Sequence, residues 1–223
     1  MCGIIGINHL KKADIDHSLL YKATSFLRHR GPDDEGYLLV NKNHKRYRLL
    51  SGPDSSRGIK RQFPGITAIR PQEGYDLAFG FRRLSILDLS DRGHQPMGYK
   101  NNWIVYNGEV FNYQEIRDEL KEKGYSFKTR TDTEVVLAAY HRWGRDCVLR
   151  FNGQWAFCIY DSHNDLLFCS RDRFGIIPFY FYKDDNTFAF ASEIKSLLSF
   201  PFVKRSVNED MIFDFLVFGL LDH

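Results

Sequence analysis

The chain has almost no excess of either charge. Thirty-one Lys and Arg face 28 Asp and Glu, a net of +3 over 223 residues. That balance argues against a nucleic-acid surface, which needs a concentrated basic stripe. The densest basic patch, Lys42, Lys45, Arg46 and Arg48, reads as a solvated loop. Long apolar runs are missing too. No stretch approaches the roughly 20 residues that span a bilayer, and the opening MCGIIGI is cut short at Asn8-His9-Leu10-Lys11-Lys12, unlike a signal peptide. Cysteine is scarce. Four residues with no CxxC pair and no metal-ligand spacing argue against a disulfide framework and against a metal site. Cys158 in WAFCIYD and Cys169 in LLFCSRD are expected to be reduced core residues. These absences make the cytoplasm the expected compartment, with neither membrane nor nucleic acid as partner. Internal repeats, low-complexity segments and a GxxxxGK[ST] phosphate loop are also absent.

What is present suits one large domain, or one domain with a piece of another. The hydrophobic share of 43% and charged share of 26% are ordinary globular values. Ile15, Leu19, Leu20, Ala23, Phe26 and Leu27 recur at helical spacing, with Asp14 as the expected N-cap and Gly31-Pro32 as the stop. Residues 41 to 76 are polar and read as a long excursion between elements. LAFGFRRLSILDL reads as strand, and WIVYNGEVFN as strand then turn. Helices are expected near 113 to 123, with Asn112 and Glu115 as the capping pair, and from Thr131-Glu134 to Trp143-Gly144. Beyond them WAFCIYD, DLLFCSRD, IPFYFY and FAFASE read as an antiparallel meander, followed by a short helix at SEIKSLLSF. Hairpin-linked strands covered by helices make this an α+β protein.

The last segment, NEDMIFDFLVFGLLDH, leaves almost no polar face. A helix of that kind is expected to pack on a partner surface. The chain is therefore expected to be a fragment, with residues 1–200 forming one domain and 201–223 opening a linker to another.

Cys2 admits two readings. It is a small apolar residue starting an edge strand, or removal of Met1 leaves one residue bearing both a thiol and a free α-amino group. The thiolate is the nucleophilic form, and a free thiol near pKa 8.5 needs a base. An α-amino group with a pKa near 7.7 to 8.0 would supply it from the same residue. Acyl transfer also needs donors for a developing oxyanion. Asn107-Gly108-Glu109 offers an amide side chain, an unhindered N–H and a carboxylate, although Asn-Gly is equally a common turn. Arg83 and Asp132 could grip the carboxylate and ammonium of an amino acid, or be a surface charge and a helix cap.

Taken together, the stretches MCGIIGI, RHRGPDDEG, RRLSILDLS, GHQPM, YNGEVFN, TDTEVVL, RFNGQWAFCIYD, RDRFGIIPFY and ASEIKSLL resemble the glutaminase domain of class II glutamine amidotransferases. RHRGPD with RLSI.D favours the branch of the glutamine-hydrolysing asparagine synthetases. The resemblance runs from residue 2 to about 198. It implies an N-terminal-nucleophile hydrolase fold, a four-layer αββα sandwich of two antiparallel sheets. It implies Cys2 as the nucleophile on the glutamine side-chain amide, with Asn107 and Gly108 as the oxyanion hole. Arg83, Leu84, Ile86, Asn107, Glu109 and Asp132 correspond to glutamine-binding positions, Arg83 on the α-carboxylate and Glu109 with Asp132 on the α-amino group. It implies a C-terminal synthetase domain of the same polypeptide, which would hold ATP and Mg, and it allows a homodimer. No SGG-type nucleotide loop is found here, so no cofactor is expected in this chain. Three departures stand out: Phe81 where His is frequent, Gln154-Trp155 where Met-Phe is common, and the long 41–76 excursion. They leave the acceptor open between aspartate, a cell-surface sugar and another carboxylate. A non-catalytic glutamine-binding module and a different N-terminal-nucleophile amidase are the alternatives.

Overall fold

The computed structural model describes residues 1–11, 13–69 and 74–220. Strand β1 (Gly3–His9) carries three β-branched residues and lies in the middle of a sheet, not at its edge. In chain order there follow α1 (His17–Ser25), β2 (Asp34–Asn41), β3 (Arg46–Ser51), α2 (Arg57–Gln62) and β4 (Leu77–Arg83). Next come β5 (Met97–Tyr99), β6 (Asn102–Val110), α3 (Tyr113–Glu122), α4 (Asp132–Trp143), β7 (Gly153–Asp161) and β8 (Leu166–Arg171). The chain continues with β9 (Tyr180–Lys183), β10 (Thr187–Ala191), α5 (Ile194–Leu197) and α6 (Glu209–Phe218). Six strands form one sheet in the order β3-β2-β4-β1-β10-β9, and four form a second in the order β5-β6-β7-β8. Every strand pairing is antiparallel.

The period-2 alternation of strand side chains builds three apolar layers from these two sheets. Ile5 and Ile7 pack outward with Leu20, Ala23 and Leu27 around α1, and Leu197 of α5 joins them. Ile104, Tyr106 and Phe157 of the second sheet pack outward against Ile116, Leu120, Val135 and Leu137 of α3 and α4. Between the sheets lie Ile4, Leu38, Phe79, Phe81, Val105, Ala156 and Cys158. The result is an α+β sandwich in four layers, αββα. Both faces of β1 are buried, which is why its sequence is a continuous apolar run rather than an alternation.

Several local expectations change. Asp16, not Asp14, caps α1 by accepting from Ser18 N at 2.8 Å, while Asp14 accepts from Gly74 N at 2.6 Å. Asn112 makes no capping bond, because its side chain instead ties Asn152 N and Arg150 O. Thr131 does cap α4, and Gly144 closes it at φ +59. The 41–76 excursion contains β3, which extends the first sheet, and α2; residues 70–73 lie outside the described residues. The expected meander is divided, with β7 and β8 in one sheet and β9 and β10 in the other. LAFGFRRLSILDL is strand only to Arg83; beyond it a loop exposes Ile86 and Leu89.

No residue of α6 is buried. Phe213, Phe215 and Phe218 are 59, 52 and 65% exposed, so this helix adds nothing to the core. Among the described residues no helix is long and apolar enough to cross a membrane.

Candidate active site

Alternation also fixes the site. Cys2 shares the inner face of the first sheet with Ile4, and Arg83 shares it with Phe79 and Phe81. On the facing sheet Asn107 and Glu109 continue the inward series begun by Val105. The three strand ends meet at one end of the sandwich, around a cavity of about 140 Å³. Cys2, Arg83, Leu84, Ile86, Asn107, Gly108 and Glu109 all line it, with Thr131 and Thr133 from the start of α4.

Asn107-Gly108-Glu109 is not a turn. Strand β6 runs straight through it, with Gly108 opposite Trp155 of β7. Gly108 has φ +154, and a Cβ there would sit 2.3 Å from the Gln154 carbonyl oxygen. Only glycine allows the two strands to approach so closely while leaving this backbone conformation unstrained. Asn107 is 1% exposed, and its Nδ2 has no hydrogen-bond partner among the described residues. A buried amide donor without a partner is costly, and this one belongs to a residue of the cavity wall.

The Cys2 thiol meets Leu84 twice: Leu84 N donates to Sγ at 3.4 Å, and Sγ donates to Leu84 O at 3.6 Å. Burial pushes the Cys2 thiol up, opposed by the Leu84 N–H, the chain's terminal ammonium and the Arg83 charge. Arg30 holds the backbone of the same residue, its Nε donating to Cys2 O at 2.9 Å, and Arg30 is in turn paired with Glu193 at 3.3 Å. Cys2 is thus fixed from both sides.

Arg83 is 7% exposed. Its guanidinium donates to the carbonyls of Ser90, at 2.8 Å, and Asp88, so it also shapes the 84–90 loop that forms one wall. Asp132 lies behind that surface and is not part of the cavity wall. Its Oδ2 accepts from Tyr106 Oη at 2.6 Å and Val110 N at 3.1 Å. Burial raises the Asp132 carboxyl, while the Tyr106 hydroxyl and the Val110 and Thr133 amides oppose the rise. Of the eight residues singled out in the sequence, seven converge on the cavity and Asp132 stands one side chain removed. Tyr106, Arg30 and Glu193 were not singled out. RHRGPD carries Arg30, yet its hold on Cys2 spans 28 residues of chain, and no local signal announces it. No group of three or more potential metal ligands occurs among the described residues.

A thiol on the inner face of a two-sheet sandwich, in one cavity with an amide donor that has no partner among the described residues, is an arrangement that can carry nucleophilic acyl transfer, and the αββα scaffold is the N-terminal-nucleophile hydrolase fold. Solved structures carry the same fold. The glutamine phosphoribosylpyrophosphate amidotransferase of B. subtilis superposes with a TM-score of 0.70 at 19% identity, over 89% of this chain and 43% of that one. The family profile described as glutamine amidotransferase domain matches residues 67–223, and the chain belongs to that family. Among curated relatives, a Methanocaldococcus jannaschii protein assigned as a glutamine-hydrolysing asparagine synthetase is 37% identical over 99% of this chain and 40% of its own length. Glutamine-hydrolysing asparagine synthetase 3 of Bacillus subtilis is 33% identical over 99% of this chain and 31% of its own. The chain therefore spans less than half the length of these relatives.

Proposed function

We propose that this chain is the glutaminase part of a glutamine-hydrolysing asparagine synthetase. Removal of Met1 frees the α-amino group of Cys2. The amine takes the thiol proton as Sγ attacks the side-chain carbonyl carbon of glutamine, and it returns that proton to the departing nitrogen, which leaves as ammonia. Water then cleaves the thioester and releases glutamate. Asn107 Nδ2 and the Gly108 N–H carry the oxyanion in both steps, Arg83 holds the α-carboxylate, and Glu109, backed by Asp132, holds the α-amino group. Leu84 and Ile86 close the wall over the substrate. The ammonia passes to a synthetase domain of the same polypeptide, which holds ATP and Mg and amidates aspartate.

The observation that carries this reading is the buried, unpaired amide of Asn107 in the cavity that also holds Cys2. In an oxyanion hole such a donor is kept free of protein partners because its partner arrives with the substrate. The four unpaired thiols also support a reducing, cytoplasmic setting. The test is ammonia release from glutamine by protein whose intact mass first establishes loss of Met1. Release that disappears in Cys2→Ala supports the proposal; no release by correctly processed protein, or release that survives the substitution, overturns it.

A further inference from the structure

Away from the cavity, the open flank of the sandwich brings two thiols together. Cys158 of β7 and Cys169 of β8 are directly opposed in the strand register, and their sulfurs are 3.5 Å apart. Directly opposed residues of antiparallel strands have Cα atoms about 4.5 to 5.5 Å apart, inside the range that a disulfide spans. The sulfurs need to close by only about 1.5 Å to reach bonding distance, and β8 is the edge strand of its sheet.

The two thiols differ in access. Cys158 is wholly buried, and burial pushes its thiol well up. Cys169 is partly exposed and lines two shallow surface grooves. Among the described residues those grooves are lined by Arg145, Arg171 and Lys183 and by no carboxylate. Partial exposure makes Cys169 the thiol of the pair that a dissolved oxidant reaches first.

We propose that Cys169 and Cys158 form a peroxide-oxidised dithiol site, Cys169 as the attacking thiol and Cys158 as the resolving one. Cys169 Sγ gives up its proton and attacks one oxygen of hydrogen peroxide. The O–O bond breaks, giving a sulfenic acid, and the other oxygen leaves as hydroxide, which takes up a proton to become water. Cys158 then attacks the sulfenic sulfur, and its proton leaves with the departing hydroxide as a second water. Two thiols and one peroxide become one disulfide and two waters, and dithiothreitol reverses the change. The site is independent of glutamine chemistry.

The experiment treats the intact chain with hydrogen peroxide, alkylates the remaining thiols after denaturation, and maps the cysteine peptides by mass spectrometry. The expected product is a Cys158–Cys169 linked peptide pair, about 2 Da lighter than the two free thiols together, lost on reduction. Cys147, wholly buried, should remain alkylatable and serves as the internal control. In Cys158→Ala the sulfenic acid on Cys169 has no resolving partner and should be trapped by dimedone. The proposal is overturned if both cysteines of the wild-type chain stay alkylatable at a dose that oxidises Cys2. It is equally overturned if Cys169 proceeds to sulfinic acid while Cys158 remains free.

Discussion

At the scale of single residues, the site depends on one side chain with nothing to bond and one residue with no side chain. Replacing Asn107 by Ala removes the proposed oxyanion donor, and on that proposal kcat for ammonia release should fall by about 10²- to 10³-fold with KM little changed. A fall confined to KM would place the amide on the ground-state substrate instead. Gly108→Ala acts through the backbone. Holding alanine at φ +154 costs about 1–3 kcal/mol, and the new methyl meets the Gln154 carbonyl and Trp155 Cα. Thermal denaturation should show a melting temperature several degrees lower; an unchanged melting temperature would mean that β6 and β7 separate freely here. Both residues stand out in the sequence, since an Asn-Gly-Glu run is a local fact. Their geometry is not a local fact. Asn-Gly favours turns, but nine paired residues of β6 against β7 outweigh that preference, and the glycine serves close strand approach rather than reversal.

At the scale of elements, two loops hold the site from behind, and each is organised by one carboxylate of its own, Asp172 or Glu193. Asp172 is 5% exposed and accepts from the backbone amides of Trp155, Phe174, Ile176 and Ile177, at 3.3, 3.2, 3.0 and 2.9 Å. It thereby fixes Ile177, a residue of the cavity wall, to the strand that backs Gly108. Burial raises its carboxyl and these amides lower it more, so the folded value lies below the ordinary one. The linkage sign follows: the ionised group stabilises the fold above the unfolded carboxylate pKa of about 3.9, and that contribution is lost as pH falls through the lower folded value. Asp172→Asn should lower stability at pH 7 by about 1–3 kcal/mol. The difference from wild type should shrink below about pH 4. Denaturant titrations at both pH values check this, and an equal difference at each would remove the charge from the account.

Glu193 plays a comparable part for Cys2. It joins His29, Arg30 and Lys195, and Arg30 carries the link to the Cys2 carbonyl. Glu193→Gln should reduce kcat/KM by about 3- to 10-fold, equivalent to roughly 1 kcal/mol, with the overall fold unchanged by circular dichroism. Unaltered kinetics would show that Arg30 needs no such anchor. Neither arrangement was legible beforehand. Asp172 and Glu193 stood inside quoted motifs, but their partners come from elements that only the folded chain brings together. The periodic helices and β-branched strands, by contrast, were readable because period and propensity are local.

At the scale of the molecule, the sandwich closes its own core without α6. The three apolar layers draw on residues up to Val203, while Ile212, Leu216 and Val217 join the three exposed Phe of that helix at 47, 74 and 54% exposure. The sequence marked this segment correctly as apolar all round, because that pattern needs no tertiary information. It could not say whether the face would turn into the sandwich. The structure gives it no place there, which makes a separable prediction. A chain ending at Asn208 should keep its melting temperature within about 2–4 °C of the full chain, the shift expected for about 1 kcal/mol at this size. It should also lose any concentration-dependent association seen by light scattering, since removing the exposed apolar face removes its cause. A larger fall in melting temperature would mean that α6 stabilises the sandwich after all. Association that persists in the shortened chain would move the adhesive surface elsewhere, to the exposed Phe174 and Ile176 beside the cavity or to Phe181 on the β9 edge.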